Sequence, residues 1–295
     1  MVTHGRWTRT ARARIARAVF VGSLAVLLAG GAAVGCAPQQ AAEEPEPQRP
    51  PAVEPEPATM EVTLYFTRGE TLGVAAREVD WTREVARVAM EQLLAGPGEA
   101  DREAGLGTEV PEGTRLNGVS ITDGVATVDL SSEFEAGGGS LSMQLRVAQV
   151  VYTLTRFETV TSVAFEIDGR PVEAIGGEGV VVSPPVTRTD FADAALPAIL
   201  VESPAPWQAV SSPLRLTGMS NTFEATLNYQ LVDAVGANIA DGYATATAGT
   251  GTWGTFDVTI PFEVTRAGAG RLVVFEVSAK DGSRINAVEI PLDLE

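Results

Sequence analysis

From residue 60 onward the chain switches between two hydrophobic periods. Over Glu61–Thr67 apolar residues fall at every second position, with Val62, Leu64 and Phe66 on one face, which is the period of a strand. Ala86, Ala89, Met90, Leu93 and Leu94 then follow the spacing of a single helix face, and Gly96-Pro97-Gly98 ends that helix. Residues 99–113, rich in glycine and acid, predict a loop. Residues 115–122 and 124–130 predict two strands around Asp123-Gly124, a hairpin turn, with Ala126, Val128 and Leu130 sharing a face. Gly137-Gly138-Gly139 breaks the chain. Ser140 is a candidate cap for a helix over 141–156 that carries Leu141, Leu145, Ala148 and Tyr152 in register. Thr159–Ile167 reads as a strand that turns at Asp168-Gly169 into a short strand near 171–175. The order is β-α-β-β-α-β, and two helices on one face of a small mixed or antiparallel sheet is the economical packing.

The pattern changes after Pro184-Pro185, in a segment 183–196 that reads as a linker. Phe223, Ala225, Leu227, Tyr229 and Leu231 alternate, as do Phe256, Val258 and Ile260, then Val273, Phe275, Val277 and Ala279. Asp281-Gly282 turns the chain into Val288, Ile290 and Leu292. Roughly seven strands without a helix predict an antiparallel β-sandwich. The fold class is therefore α+β: a sheet-and-helix domain over residues 60–182, then an all-β, immunoglobulin-like sandwich over 197–295.

The first 59 residues follow neither period. Arg6, Arg9, Arg12, Arg14 and Arg17 precede the apolar run Ala18–Ala33, and Ala33-Val34-Gly35-Cys36 follows. A basic start, a short apolar stretch and small residues at the cut are the layout of a secretory signal. The cysteine directly after them resembles the lipobox of bacterial lipoproteins, with alanine where leucine is usual. That resemblance implies cleavage after residue 35 and lipidation of Cys36, leaving the protein lipid-anchored on the extracytoplasmic face of the cell membrane. An uncleaved transmembrane anchor is the competing reading, although the run is short for the ~20 residues a span needs. Residues 36–59 alternate proline with glutamate, carry nothing large and apolar, and read as a disordered, extended tether.

Charge narrows the function. Beyond residue 35 there are 16 basic and 38 acidic residues, a net charge of −22. Such a chain is repelled by phosphate backbones, so no nucleic-acid partner is expected. The lone cysteine is Cys36, the lone histidine is His4 and the lone lysine is Lys280. With His4 and Cys36 both taken up by export and lipidation, Ser-His-Asp and Cys-His arrangements and a histidine zinc site are ruled out. Neither a phosphate-binding glycine loop nor an EF-hand spacing is present. No cofactor is expected, and Lys280 reads as a solvated turn residue. Glu133 and Glu135 are the one carboxylate pair that could in principle hydrolyse a glycan, although two surface acids at this spacing are ordinary. Trp207 and Trp253 could mark a partner surface, but burial inside the sandwich is the expectation.

Two ordered sets of segments add a resemblance. Leu94-Ala95-Gly96-Pro97, Val110-Pro111-Glu112-Gly113-Thr114, Val125–Ser131 and Gln149–Leu154 are similar to the GerMN domain of sporulation and spore germination proteins. Val201–Pro204, Ser212–Gly218, Phe223-Glu224-Ala225, Trp253–Phe256 and Ser278–Ser283 resemble the immunoglobulin-like domain of bacterial spore germination proteins. The resemblance implies a non-catalytic envelope protein that binds other envelope components, either proteins or peptidoglycan, with homo-oligomer formation a further option. Arginine far outnumbers lysine and alanine is abundant, a composition of high-GC bacteria such as actinobacteria, where GerMN-type lipoproteins also serve envelope signalling. The alternatives are a peptidoglycan hydrolase using acidic residues and a cell-wall glycan binder without hydrolysis.

Overall fold

The computed structural model describes residues 58–177, 179–264 and 266–295, which all fall within one compact body. The expected export signal, Cys36 and the tether as far as residue 57 lie outside the described residues.

The sheet-and-helix domain opens with a hairpin of β1 (Thr59–Arg68) and β2 (Thr71–Asp80). Alternation places Val62, Leu64 and Phe66 in the core, and Tyr65 is buried as well. Two helices, α1 (Val85–Leu94) and α3 (Ser140–Leu154), pack on this hairpin and on each other. A separate four-stranded sheet has the order β3 (Leu116–Thr122), β4 (Val125–Leu130), β5 (Ser162–Ile167), β6 (Arg170–Pro171). Here β4 and β5 run parallel, joined by α3, and Ala126, Val128, Leu130, Val163 and Phe165 turn one face inward.

Several expectations are corrected. The hairpin partner β2 was not anticipated, and it forms a sheet of its own with β1. The predicted loop at 99–113 contains a short helix, α2 (Glu99–Glu103), where buried Asp101 accepts from the Gly98 amide at 2.6 Å and pairs with Arg77. Gly139, not Ser140, is the N-cap of α3. Gly137 and Gly138 sit at φ +61° and +85°, a region that glycine enters without steric cost. Leu141 is exposed rather than in register, while the rest of α3 is buried almost all round. The short strand near 171–175 resolves into β6 and a small hairpin of β7 (Ala174–Ile175) and β8 (Val180–Val181).

Residues 183–196 are ordered. They form a 3₁₀ turn at Arg188–Phe191 and a short helix, α4 (Ala192–Ala195), and Val186, Phe191, Ala195 and Leu196 join the first domain's core. The sandwich has one sheet of order β14 (Gly254–Ile260), β11 (Leu214–Ser220), β9 (Ile199–Ser203). The second sheet runs β10 (Ala209–Val210), β16 (Arg284–Leu294), β15 (Gly268–Val277), β12 (Thr226–Val232), β13 (Asn238–Thr245). Its core holds Leu216, Leu227, Leu231, Phe256, Leu272, Val274, Ile290 and Leu292. In β15 the inward face is therefore Leu272 and Val274, not the predicted Val273, Phe275 and Val277. Phe223 and Ala225 precede β12 in a 3₁₀ turn.

Candidate functional site

The expected candidates separate in space. Glu133 lies in a 3₁₀ turn, paired at the surface with Arg115 at 3.4 Å. A hydrogen bond from Ser131, helped by the backbone and Arg115, holds its carboxyl below the usual range. A glycosidase acid needs the opposite shift. Glu135 accepts from the Gly176 amide at 3.3 Å, so its carboxylate ties a loop down. Lys280 is an exposed turn residue. Neither tryptophan lies inside the sandwich. The indole N–H of Trp207 donates to the Ala100 carbonyl of α2 at 3.1 Å, and that of Trp253 donates to Asp193 of α4 at 2.9 Å. Both tryptophans come from the second domain and hold the first.

These contacts mark the junction between the domains, and its centre is Arg188. The 3₁₀ turn that begins at Arg188 places its guanidinium against the rings of Tyr65 and Tyr152, at 5.1 and 4.8 Å from their centroids. Arg188 donates to Glu202 of β9 at 2.7 Å, to Thr155 Oγ1 at 2.9 Å, to the Tyr65 hydroxyl at 3.0 Å and to the Tyr152 carbonyl at 3.1 Å. The Tyr65 hydroxyl donates in turn to Glu202, and Tyr152 donates to the Arg188 carbonyl at 3.0 Å. Burial alone would push the Arg188 pKa down, but Tyr65 and Glu202 outweigh it and hold the charge on. Burial pushes both tyrosines well above their ordinary value, so each stays a neutral donor. A buried ion pair with every partner satisfied fixes geometry more than it adds stability.

Beside this cluster lies a cleft of about 420 Å³, walled by Leu72, Val74, Ile199, Val201, Pro204 and Ile290 from both domains. Arg68, at the end of β1, also lines it. The Arg68 Nε is buried, and among the described residues it has no hydrogen-bond partner. Desolvation alone lowers the Arg68 pKa. No group of three or more metal-ligating side chains occurs among the described residues.

Sequence reasoning missed Arg188, Glu202, Tyr65 and Arg68. Arg188 lies 123 residues from Tyr65, and no local spacing signals such a pairing. Arg68 leaves a faint trace, as a cation closing an apolar strand in an acidic chain.

Comparison with known proteins bears on both domains. Residues 63–173 match the family model Germane, described as sporulation and spore germination, and residues 198–283 match Gmad2, the immunoglobulin-like domain of bacterial spore germination. Both are germination-related families rather than known enzyme families. No curated protein matches the chain. Among solved structures, the first GerMN domain of the sporulation protein GerM from Bacillus subtilis is 26% identical. That match covers 44% of this chain and 99% of that one, with a TM-score of 0.37. The tandem GerMN domains of the same protein are 18% identical, covering 69% and 61%, with a TM-score of 0.39. A Clostridium perfringens protein classed by inference as a lipoprotein is 19% identical, covering 47% and 94%, with a TM-score of 0.35.

Proposed function

Because the chain carries a GerMN-type domain followed by an immunoglobulin-like domain of bacterial spore germination, we propose that it is a lipid-anchored, non-catalytic binding or assembly module of the cell envelope. The observation that carries this reading is the junction. Arg188, Glu202, Tyr65, Trp207 and Trp253 weld two domains into one body, and the polar groups of Arg188, Glu202 and Tyr65 are spent on one another. A welded pair of domains presents a fixed composite surface, which suits recognition and assembly.

Export, lipidation of Cys36 and a tether of roughly 3.1 Å per residue would display that body outside the membrane. A single acyl chain binds a bilayer only marginally, so stable anchoring rests on two or more chains. No helix among the described residues is long and apolar enough to cross a membrane. The hydrolase alternative needs one carboxyl held above its usual range to act as the acid, and the hydrogen bond from Ser131 shifts Glu133 the other way.

Metabolic labelling with a clickable fatty acid tests the anchor. The wild-type chain should take up label and fractionate with membranes, and Cys36→Ser should do neither. Label on the variant, or an unlabelled soluble wild-type pool, would contradict the proposal. Purified full chain incubated with peptidoglycan should release no soluble glycan. Release that is lost in Glu133→Gln would establish the hydrolase instead.

A further inference from the structure

We infer that the cleft between the domains is a recognition site for the extended C-terminal tail of a partner protein, with the partner's α-carboxylate paired to Arg68. This deepens the binding role proposed above and rests on it.

Three observations converge. Arg68 is the first. Its Nε is buried without a partner among the described residues, and burial alone lowers its pKa, with no acidic neighbour acting against it. The residue as a whole is half-buried, but a buried N–H ordinarily finds a hydrogen-bond partner. A guanidinium fork matches a carboxylate in a bidentate arrangement. What distinguishes Arg68 is that its unmet buried Nε belongs to a side chain lining an apolar cleft, a position suited to an incoming anion.

The second observation is backbone. The cleft is lined by consecutive residues of three strands: Thr71–Val74 of β2, Ile199–Val201 of β9 and Ala287–Ile290 of β16. Successive side chains of a strand point to opposite faces, so an unbroken run of lining residues presents main chain as well as side chains. Each of these runs is paired on one side only, among the described residues. β2 pairs with β1, β9 pairs with β11, and this part of β16 pairs with β15, because β10 reaches only Asp293 and Leu294. Unpaired strand edges are templates for an added strand.

The third is the wall. Leu72, Val74, Ile199, Val201, Pro204 and Ile290 are apolar, and the volume lies within the ~300–1,000 Å³ of ligand pockets. Glu289 also lines the cleft and is exposed. It opposes an acidic side chain and tolerates a basic one. An apolar body, unpaired main chain and one terminal carboxylate together describe a peptide end. A fatty acid would satisfy the arginine and the wall but would leave the strand edges unmet.

The test uses the full chain in phospholipid nanodiscs. The probes are octapeptides with an N-terminal fluorescein, four randomised apolar residues at the end and free C-termini, alongside matched C-terminal amides and decanoate. The expected result is saturable anisotropy binding by at least one free-acid pool. The amide should be weaker by about tenfold or more, the scale of a hydrogen bond to a charged group. Arg68→Met should lose binding by a similar factor at an unchanged melting temperature. Arg68→Lys should fall in between, and Arg284→Met should bind as wild type. Equal binding of acid and amide, indifference to Arg68→Met, no peptide bound at all, or decanoate bound where peptides are not would each overturn the inference. The acid–amide comparison is made on the wild-type chain and needs no variant. If a partner is crosslinked in cells while peptides bind without regard to their carboxylate, the site falls and the envelope-binding role stands. If no partner is captured in cells, that role itself fails.

Discussion

Two arginines line the junction between the domains, and only one is satisfied. Arg188 is held by Glu202, Thr155, Tyr65 and the Tyr152 carbonyl, with two aromatic rings packed against its guanidinium. Arg68, at the end of the same strand that carries Tyr65, has a buried Nε that no described residue meets. Burial alone lowers the pKa of Arg68, whereas at Arg188 burial is outweighed by partners. The contrast separates two uses of one side chain. A cation whose donors are consumed internally fixes structure, and one with a buried donor left over is the place we propose for a ligand.

The largest effect should come from breaking the satisfied arginine. Arg188→Ala leaves Glu202 without its cation at a site where its side chain is 12% exposed. Removing one partner of a buried pair costs about 3–5 kcal/mol. Denaturant unfolding of the full chain should report a loss of that order, and a change within experimental error would contradict the lock. Tyr65→Phe is expected to lose less, about 1–3 kcal/mol, because one donor to a charged group disappears while the ring remains.

Alkaline pH offers a graded version of the same test. Tyr65 and Tyr152 have folded-state pKa values raised above the unfolded ~10. The stability they contribute is therefore fully present below about pH 10 and is lost as pH rises further. Chemical denaturation at pH 8 and pH 10.5 should show a drop for wild type and a smaller drop for Tyr65→Phe. The smallest effect belongs to the unsatisfied arginine. Arg68→Met keeps an apolar stem and removes a desolvated charge, so stability should stay within about 0.5 kcal/mol of wild type or rise. A loss as large as that of Arg188→Ala would place Arg68 in the scaffold and remove it from recognition.

The two arginines also show what was legible in sequence. Period-two and helical patterns marked β1, α1, β4 and, in the sandwich, β12, β14 and β16, where alternate or i, i+3, i+4 positions carry the apolar residues. β2 was not legible. Leu72, Gly73, Val74 and Ala75 are buried in succession, so alternation fails. The inward face of β15 was misread for the same reason, since Leu272, Val273, Val274 and Phe275 are all buried. Trp207 and Trp253 were recognisable as large apolar residues, but their indole N–H groups bond to Ala100 and Asp193 of the other domain, and Trp207 remains 44% exposed. Arg188 lay in a segment that reads as a linker, and its partners come from β1, α3 and β9. A junction is built from long-range contacts, and local periodicity carries no record of them.

The central proposal is that this welded body is tethered to the membrane and works by binding an envelope partner. The most direct test is photocrosslinking in living cells, with a photoreactive amino acid at Thr71 in the cleft and a control at exposed Ile121. The account predicts a discrete crosslink at Thr71 to an envelope protein that co-purifies with wild type, reduced in Arg68→Met and lost in Cys36→Ser. The same faint products from both positions, unaffected by either substitution, would contradict it.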